Sequence, residues 1–154
     1  MIINMKNNIL INLLNKQLNN IDSKKKLNLS DINRICKNLN TSIFGSECSI
    51  WQGYITKLKK NNDKYINFFF KGKKYALHRL LYTNYIGELN KKEYLKYTCD
   101  NKGSCCNINH YKKVVKNKKD NKPIINKKNI NMDINNKIEI LDFEDSQKKL
   151  IIIF

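Results

Sequence analysis

The chain has 154 residues, enough for one modest domain with tails, and a formal charge of +17 from 30 Lys and Arg against 13 acids. No run of about 18 apolar residues occurs, which excludes a membrane span, and Asn4, Lys6, Asn7, Asn8 and Asn12 break the first stretch too often for a secretory signal. Lys (28), Asn (26) and Ile (22) dominate; these are residues an A/T-rich coding sequence favours, so part of the charge reflects composition rather than selection for a polyanion.

Residues 1–47 read as an N-terminal helical region. Ile9, Leu10, Leu13, Leu14 and Leu18, spaced three and four apart, predict an amphipathic helix over 5–20, which Ser23 to Lys26 breaks. Ser30 is placed to cap a second helix carrying Ile32, Ile35, Cys36 and Leu39 on one face. A helical pair packed on the rest of the chain is the expectation.

The pattern changes at Cys48, and residues 48–111 hold most of the aromatics. Trp51, Tyr54, Ile55 and Leu58 lead to a hairpin turn at 59–63. Tyr65, Ile66, Phe68 and Phe70 lead to a second turn at 71–73, from which Tyr75 to Leu77 returns as a strand. Alternation along Phe68-Phe69-Phe70 turns at least one ring away from its neighbours, and core packing accounts for two of the three. His78 to Ile86 reads as a helix burying Leu81, Tyr82 and Tyr85, with Gly87 placed to stop it.

Residues 112–137 hold nine Lys, two Asp, the only proline (Pro123) and no aromatic, a charged linker composition. The tail 138–154 is acidic and ends in Leu150-Ile151-Ile152-Ile153-Phe154, an apolar pentad suited to a docked strand or to a partner. By segment the charge is +4 over 1–47, +8 over 48–111, +7 over 112–137 and −2 over 138–154.

Five cysteines, an odd number without a secretory context, favour a metal over a disulfide framework. Cys99, the pair Cys105-Cys106 and His110 lie within twelve residues, in a loop whose Gly and Asn permit tight turning. Thiols and an imidazole so placed suit tetrahedral zinc, and a structural site takes four ligands. Cys48, at the start of the core, is the candidate for the ligand from outside the loop, whereas Cys36 on a helix face suits a small buried hydrophobe. Cys105 and Cys106 cannot easily face one ion together, so one of them is a spare. Reduced cysteines without a metal are the alternative. A small domain poor in Leu and Val would gain much from a metal cross-link.

Three groups of residues carry a resemblance: Cys48-x-x-Trp51-x-Gly53-Tyr54; Ala76-Leu77-His78-Arg79-Leu80-Leu81-Tyr82; and Cys99-Asp100-Asn101 followed by Cys105-x-Asn107-x-x-His110. Their order resembles the zinc-binding-loop branch of the HNH, or His-Me finger, homing endonucleases, whose pattern is C-x-x-W-x-G, a-H-R-x-x-Y, H-x-C-d-n and C-x-N-P-x-H-L. The resemblance covers 48–111. It implies an α+β fold with a β-hairpin, a connecting helix and a zinc-held ββα-metal core, and it implies Cys48, Cys99, Cys105 and His110 as the zinc ligands.

In that family a histidine two residues before the first loop cysteine is the general base, and here the position is Tyr97. The family's Mg²⁺-holding Asn, nine residues past the loop histidine, falls on Lys119, with Asn117 and Asn121 nearby. Ile108 replaces the motif's proline. The expected function is therefore a zinc-binding, DNA-binding protein derived from an HNH homing endonuclease and catalytically silent. The alternatives are an active Mg²⁺-dependent endonuclease, with His78 as a displaced base, and a structural zinc protein acting through protein contacts. Lys57, Lys59, Lys60, Lys71, Lys73 and Lys74, at the two hairpin turns, and Arg79 are the expected contacts to double-stranded DNA. Lysine in place of arginine implies contacts mostly to the backbone. The resemblance further implies homodimers and an intracellular, virus-encoded protein.

Overall fold

Helix α1 spans Ile2–Lys16 and helix α2 spans Leu29–Lys37. These positions come from a computed structural model in which residues 1–116 are described. α1 ends four residues before the expected boundary because Gln17 is extended and bonded elsewhere. Its Nε2 donates to the Leu27 carbonyl and to Asn84 Oδ1, both at 2.9 Å, and the Leu18 N–H donates to the Asn84 carbonyl at 2.9 Å. Within α1 only Ile9 and Leu13 are buried, and Leu14 remains exposed, contrary to the expected stripe.

The second helix is capped by Asn28, two residues before the expected Ser30. Asn28 Oδ1 accepts from the Asp31 N–H at 2.9 Å, and Asp31 Oδ2 accepts from the Asn28 N–H at 3.1 Å, a reciprocal capping box. Asp31 also pairs with Arg34 at 2.6 Å. Ile32, Ile35, Cys36 and Leu39 are all buried, as their spacing predicts.

Two antiparallel hairpins follow, the first closed by residues 58–63 and the second by the two residues 71–72. β1 (Thr56–Lys57) pairs with β2 (Lys64–Tyr65), and β3 (Asn67–Phe70) pairs with β4 (Lys73–Ala76). The second turn places Lys71 and Gly72 at φ 47° and 77°, the left-handed pair whose twist suits a two-residue hairpin. Phe68 and Phe70 are buried and Phe69 is 59% exposed. Helix α3 (Leu77–Tyr85) starts directly from β4. It does not use Gly87 as a left-handed cap; the N–H groups of Ile86 and Gly87 both bond to the Tyr82 carbonyl, at 2.8 and 3.0 Å.

A third hairpin escaped the sequence pattern. β5 (Glu93–Tyr97) pairs with β6 (Tyr111–Val115), from Glu93↔Val115 to Tyr97↔Tyr111. Its strands read EYLKY and YKKVV, with too few apolar positions for a clear alternation. β6 runs four residues past Tyr111, where the composition begins to thin.

The described residues thus form a mixed α+β fold of helices and small antiparallel sheets around one core, with Leu39, Ile43, Phe70, Leu77 and Leu81 fully buried. Asn84 ties the N-terminal helices to α3. Its Oδ1 accepts from Gln17 Nε2 and the Leu27 N–H, and its Nδ2 donates to the Lys25 and Leu80 carbonyls, so the buried amide is fully satisfied. Among the described residues no helix is long and apolar enough to cross a membrane. Most of the 112–137 linker, the Mg²⁺-ligand position at Lys119 with Asn117 and Asn121, the helix that would complete a ββα-metal unit and the tail 138–154 lie outside the described residues.

Candidate metal centre

The β5–β6 hairpin forms the neck of a loop that carries three of the expected ligands. Tyr97 and Tyr111 are the last paired residues, and the Thr98 N–H adds a bond to the His110 carbonyl at 2.9 Å. Cys99 therefore leaves the neck on one side while His110, closing a single 3-10 turn (Ile108–His110), enters it on the other. Cys105 is held by the Asn101 carbonyl, which accepts its N–H at 3.0 Å, and by Tyr111, whose hydroxyl donates to the Cys105 carbonyl at 2.7 Å.

Cys48 arrives from a separate segment, stitched to the loop by backbone. The Cys106 N–H donates to the Ser49 carbonyl at 2.6 Å, the Trp51 N–H donates to the Ser104 carbonyl at 2.9 Å, and Ile50 bridges Cys105. The result is one cluster in which ligand atoms of Cys48, Cys99, Cys105 and His110 all lie within 4.8 Å of one another. Cys48 Sγ and Cys105 Sγ each stand 3.4 Å from His110 Nδ1. The edge of a tetrahedron built with metal–sulfur and metal–nitrogen bonds of zinc length is about 3.5 Å, so this spacing fits a tetrahedral ion. These four residues could hold a metal ion such as zinc.

Surrounding groups fix the donors. His110 Nε2 faces the Ser46 carbonyl at 3.0 Å, so the proton belongs on Nε2 and the Nδ1 lone pair turns to the cluster. Asn107, fully buried, donates from Nδ2 to the carbonyls of Gly45 (2.8 Å) and Glu47 (2.5 Å) and accepts the Asn109 N–H on Oδ1 at 2.9 Å. It therefore clamps the Cys48 segment to the loop that carries Cys105 and His110. The sequence pattern contained this residue in Cys105-x-Asn107 without revealing its work.

Burial pushes the Cys105 thiol up to about 12 and raises Cys99, whereas a hydrogen bond with the Asn101 side chain lowers Cys48. Cys99 and Cys105 therefore favour their protons, and a divalent ion bound at the cluster would reverse that preference. Cys36 and Cys106 lie outside the cluster, both buried, as expected for a small hydrophobe and a spare.

Glycines set two close approaches. A Cβ on Gly103, where φ is +82°, would come 1.8 Å from the Lys64 carbonyl oxygen, so the metal loop lies directly on β2. Lys102 reaches Asp63 in the adjoining turn at 3.5 Å. A Cβ on Gly53 would come 2.6 Å from Trp51 Nε1, which accounts for glycine two residues after the tryptophan.

The Tyr97 side chain lies in aromatic packing. Tyr97, His78 and Tyr111 form a ring cluster with centroids 5.5 Å (His78–Tyr97), 5.9 Å (His78–Tyr111) and 5.2 Å (Tyr97–Tyr111) apart. Burial raises the Tyr97 phenol above its ordinary range. Burial first, and Arg79 second, lowers His78 to about 4. Arg79 is half-buried and donates to the Glu93 carbonyl at 3.3 Å, so it holds β5. Lys57, Lys59, Lys60, Lys73 and Lys74 are exposed, while Lys71, also exposed, bends back to the Ser23 carbonyl.

Over 152 residues the chain is 46% identical to an uncharacterized protein of Acanthamoeba polyphaga mimivirus. The similarity covers 96% of this chain and 44% of the viral protein, so the chain spans less than half the length of that relative. No family model and no solved structure matches the chain.

Proposed function

We propose that this chain is a zinc-stabilised nucleic-acid-binding module of the HNH type, which holds double-stranded DNA through its two lysine-rich hairpins and does not cleave it. The observation that carries the reading is the basic surface beside a closed metal centre. Lys57, Lys59, Lys60, Lys73 and Lys74 are exposed and make no ion pair among the described residues. The hairpins that bear them are joined by a hydrogen bond from Asn67 Nδ2 to Thr56 Oγ1 at 3.4 Å. Sulfur and imidazole donors favour zinc, and four protein ligands leave no open position for substrate, which is the structural kind of site.

Catalytic silence is supported by the two groups nearest the chemistry. A phenol held above its normal pKa does not remove a proton from water at neutral pH. An imidazole lowered to about 4 supplies little driving force as a base. Zinc supplies the fold's cross-link when bound, and the chain's own residues present the lysines.

Fluorescence anisotropy with a labelled duplex, between about 50 and 200 mM salt, tests the reading. Binding should weaken steeply with salt, and replacing the five lysines by Gln should reduce the log–log salt slope by up to about 4.5, at roughly 0.9 per lost phosphate contact. Supercoiled plasmid should survive with Mg²⁺ or Mn²⁺. No duplex binding at low salt overturns the DNA assignment, and nicking overturns catalytic silence.

A further inference from the structure

Two aromatic rings stand in water among the lysines of the first two hairpins. Tyr54 is 83% exposed and Phe69 is 59% exposed. Their neighbours hold them there. Ile55 packs against the core beside Tyr54, and Phe68 and Phe70 are buried on either side of Phe69, so alternation turns the intervening ring outward. Arg34 of α2 backs the strand, donating to the Phe69 carbonyl at 2.9 Å while its guanidinium lies 4.4 Å over the Phe68 ring. Among the described residues neither exposed ring joins a ring pair or lies under a cation. Tyr75, the third exposed aromatic of the hairpins, is committed edge-on to Phe70 at 5.5 Å.

One polar contact ties together the segments that carry the two rings. Asn67 Nδ2 donates to Thr56 Oγ1 at 3.4 Å; Tyr54 precedes Thr56 by two residues, and Phe69 follows Asn67 by two. Two residues of chain span at most about 7 Å, so both rings are rooted close to that bond. Lys74 is the cross-strand partner of Phe69, so the two side chains leave the same face of the hairpin. From Tyr54 to Ala76 the chain holds seven lysines and one acid, Asp63, which is paired with Lys102.

We propose that Tyr54 and Phe69 stack on unpaired bases, so that the DNA this surface prefers is duplex interrupted by an unpaired segment. This rests on the lysine-borne DNA binding proposed above and names what the rings add to it. Every base has a π-face, and exposed rings in a positive field are a platform for it, whereas a continuous duplex offers a protein only base edges. The lysines hold the flanking phosphates, which carry no sequence information. Arg34 and the buried phenylalanines already fix β3, so the platform needs little ordering on binding. Acidic lipid would also draw the lysines, but membrane-surface elements bury a broad apolar face, and no aliphatic residue of 54–76 is exposed.

Fluorescence anisotropy of the full metal-loaded chain with two labelled DNAs, a matched duplex and the same duplex carrying a short central bubble, tests the proposal. The bubble should bind at least about 10-fold more tightly. Tyr54→Ala and Phe69→Ala should each weaken bubble binding at least about fivefold and leave matched-duplex binding within about twofold. Their salt slopes should match that of the unaltered chain, because stacking releases no counterion. Tyr54→Phe and Phe69→Tyr keep a ring and should keep the preference. Phe69→Leu keeps apolar bulk without the π-face and should lose it, with an unchanged circular-dichroism melt. Equal affinity for the two DNAs overturns the stacking and leaves the lysine contacts standing, whereas binding to neither overturns both. A bubble preference that survives the folded Ala and Leu variants overturns the assignment to these rings. So does ring-dependent flotation with acidic lipid vesicles in the absence of any bubble preference.

Discussion

Replacing Asn107 by Ala should loosen the metal centre without touching a ligand. The side chain makes three hydrogen bonds from a fully buried position, two to carbonyls of the Cys48 segment and one from the Asn109 N–H. At about 1 kcal/mol net each, with buried partners left unsatisfied, the loss is about 3 kcal/mol. For a fold of this size that lowers the melting temperature by about 10–20 °C. Because the clamp holds Cys48 against Cys105 and His110, zinc affinity should fall by about 10–100-fold, the usual effect of losing an outer-shell partner. Thermal melts of metal-loaded protein and competition against a chromogenic chelator read the two effects. Asn107→Asp separates a lost clamp from a simple cavity. It keeps the acceptor for Asn109 but turns a carboxylate on two carbonyls, so it should be worse than Ala. An Ala variant that melts and binds zinc like the unaltered chain would refute the clamp, as would an Asp variant more stable than Ala.

Metal uptake should release protons, because burial holds Cys105 at about 12 and raises Cys99; affinity then rises with pH and falls on acidification. Calorimetry in buffers of different ionisation enthalpy measures the release, and uptake without it contradicts the thiol assignment. His78 stays neutral in the fold down to about pH 4, whereas the unfolded chain takes up the proton near its ordinary value of 6.5. Its contribution is therefore fully present above pH 6.5 and is lost as pH falls toward 4, by about 3 kcal/mol in all. His78→Phe, which keeps the ring cluster, should flatten that part of the urea-stability profile, and an unchanged profile would show that His78 is not the group responsible. Gly103→Ala places a Cβ 1.8 Å from the Lys64 carbonyl at a φ of +82°. It should cost more than about 2 kcal/mol in urea unfolding, and a neutral substitution would show that the loop does not lie on β2.

Local chemistry was legible in the residues wherever short-range spacing carries the information. Ile32, Ile35 and Cys36 recur with the helical period and are buried, and Lys71-Gly72 turns as a two-residue hairpin must. Alternation along 68–70 separated one exposed phenylalanine from two buried ones. The caps were less legible, because Asn28 and Ser30 both suit an N-terminus, and the reciprocal bond with Asp31 selects Asn28. β5 and β6 were invisible for a different reason. Their apolar positions are few, and their pairing spans the whole metal loop, so no window of sequence contains both.

The metal centre divides in the same way. Residue type and spacing alone placed Cys99 and His110 in one loop, singled out Cys48 as the outside ligand and made one of Cys105 and Cys106 redundant. Spacing left open which of the two thiols turns to the cluster, and the resemblance implied Cys105. In the structure the Ile50–Cys105 bridge and the Tyr111 hydroxyl orient that backbone, and Cys106 is buried outside the group of donors. Tertiary structure decided the fate of the charges. Lys71 and Arg79 bond to backbone carbonyls from distant segments while their neighbours at the turns remain exposed. A sequence specifies which side chains carry thiol, imidazole or charge. Which of them share a few ångströms depends on loop closure between residues as far apart as Cys48 and His110, and only the folded backbone pays that entropy.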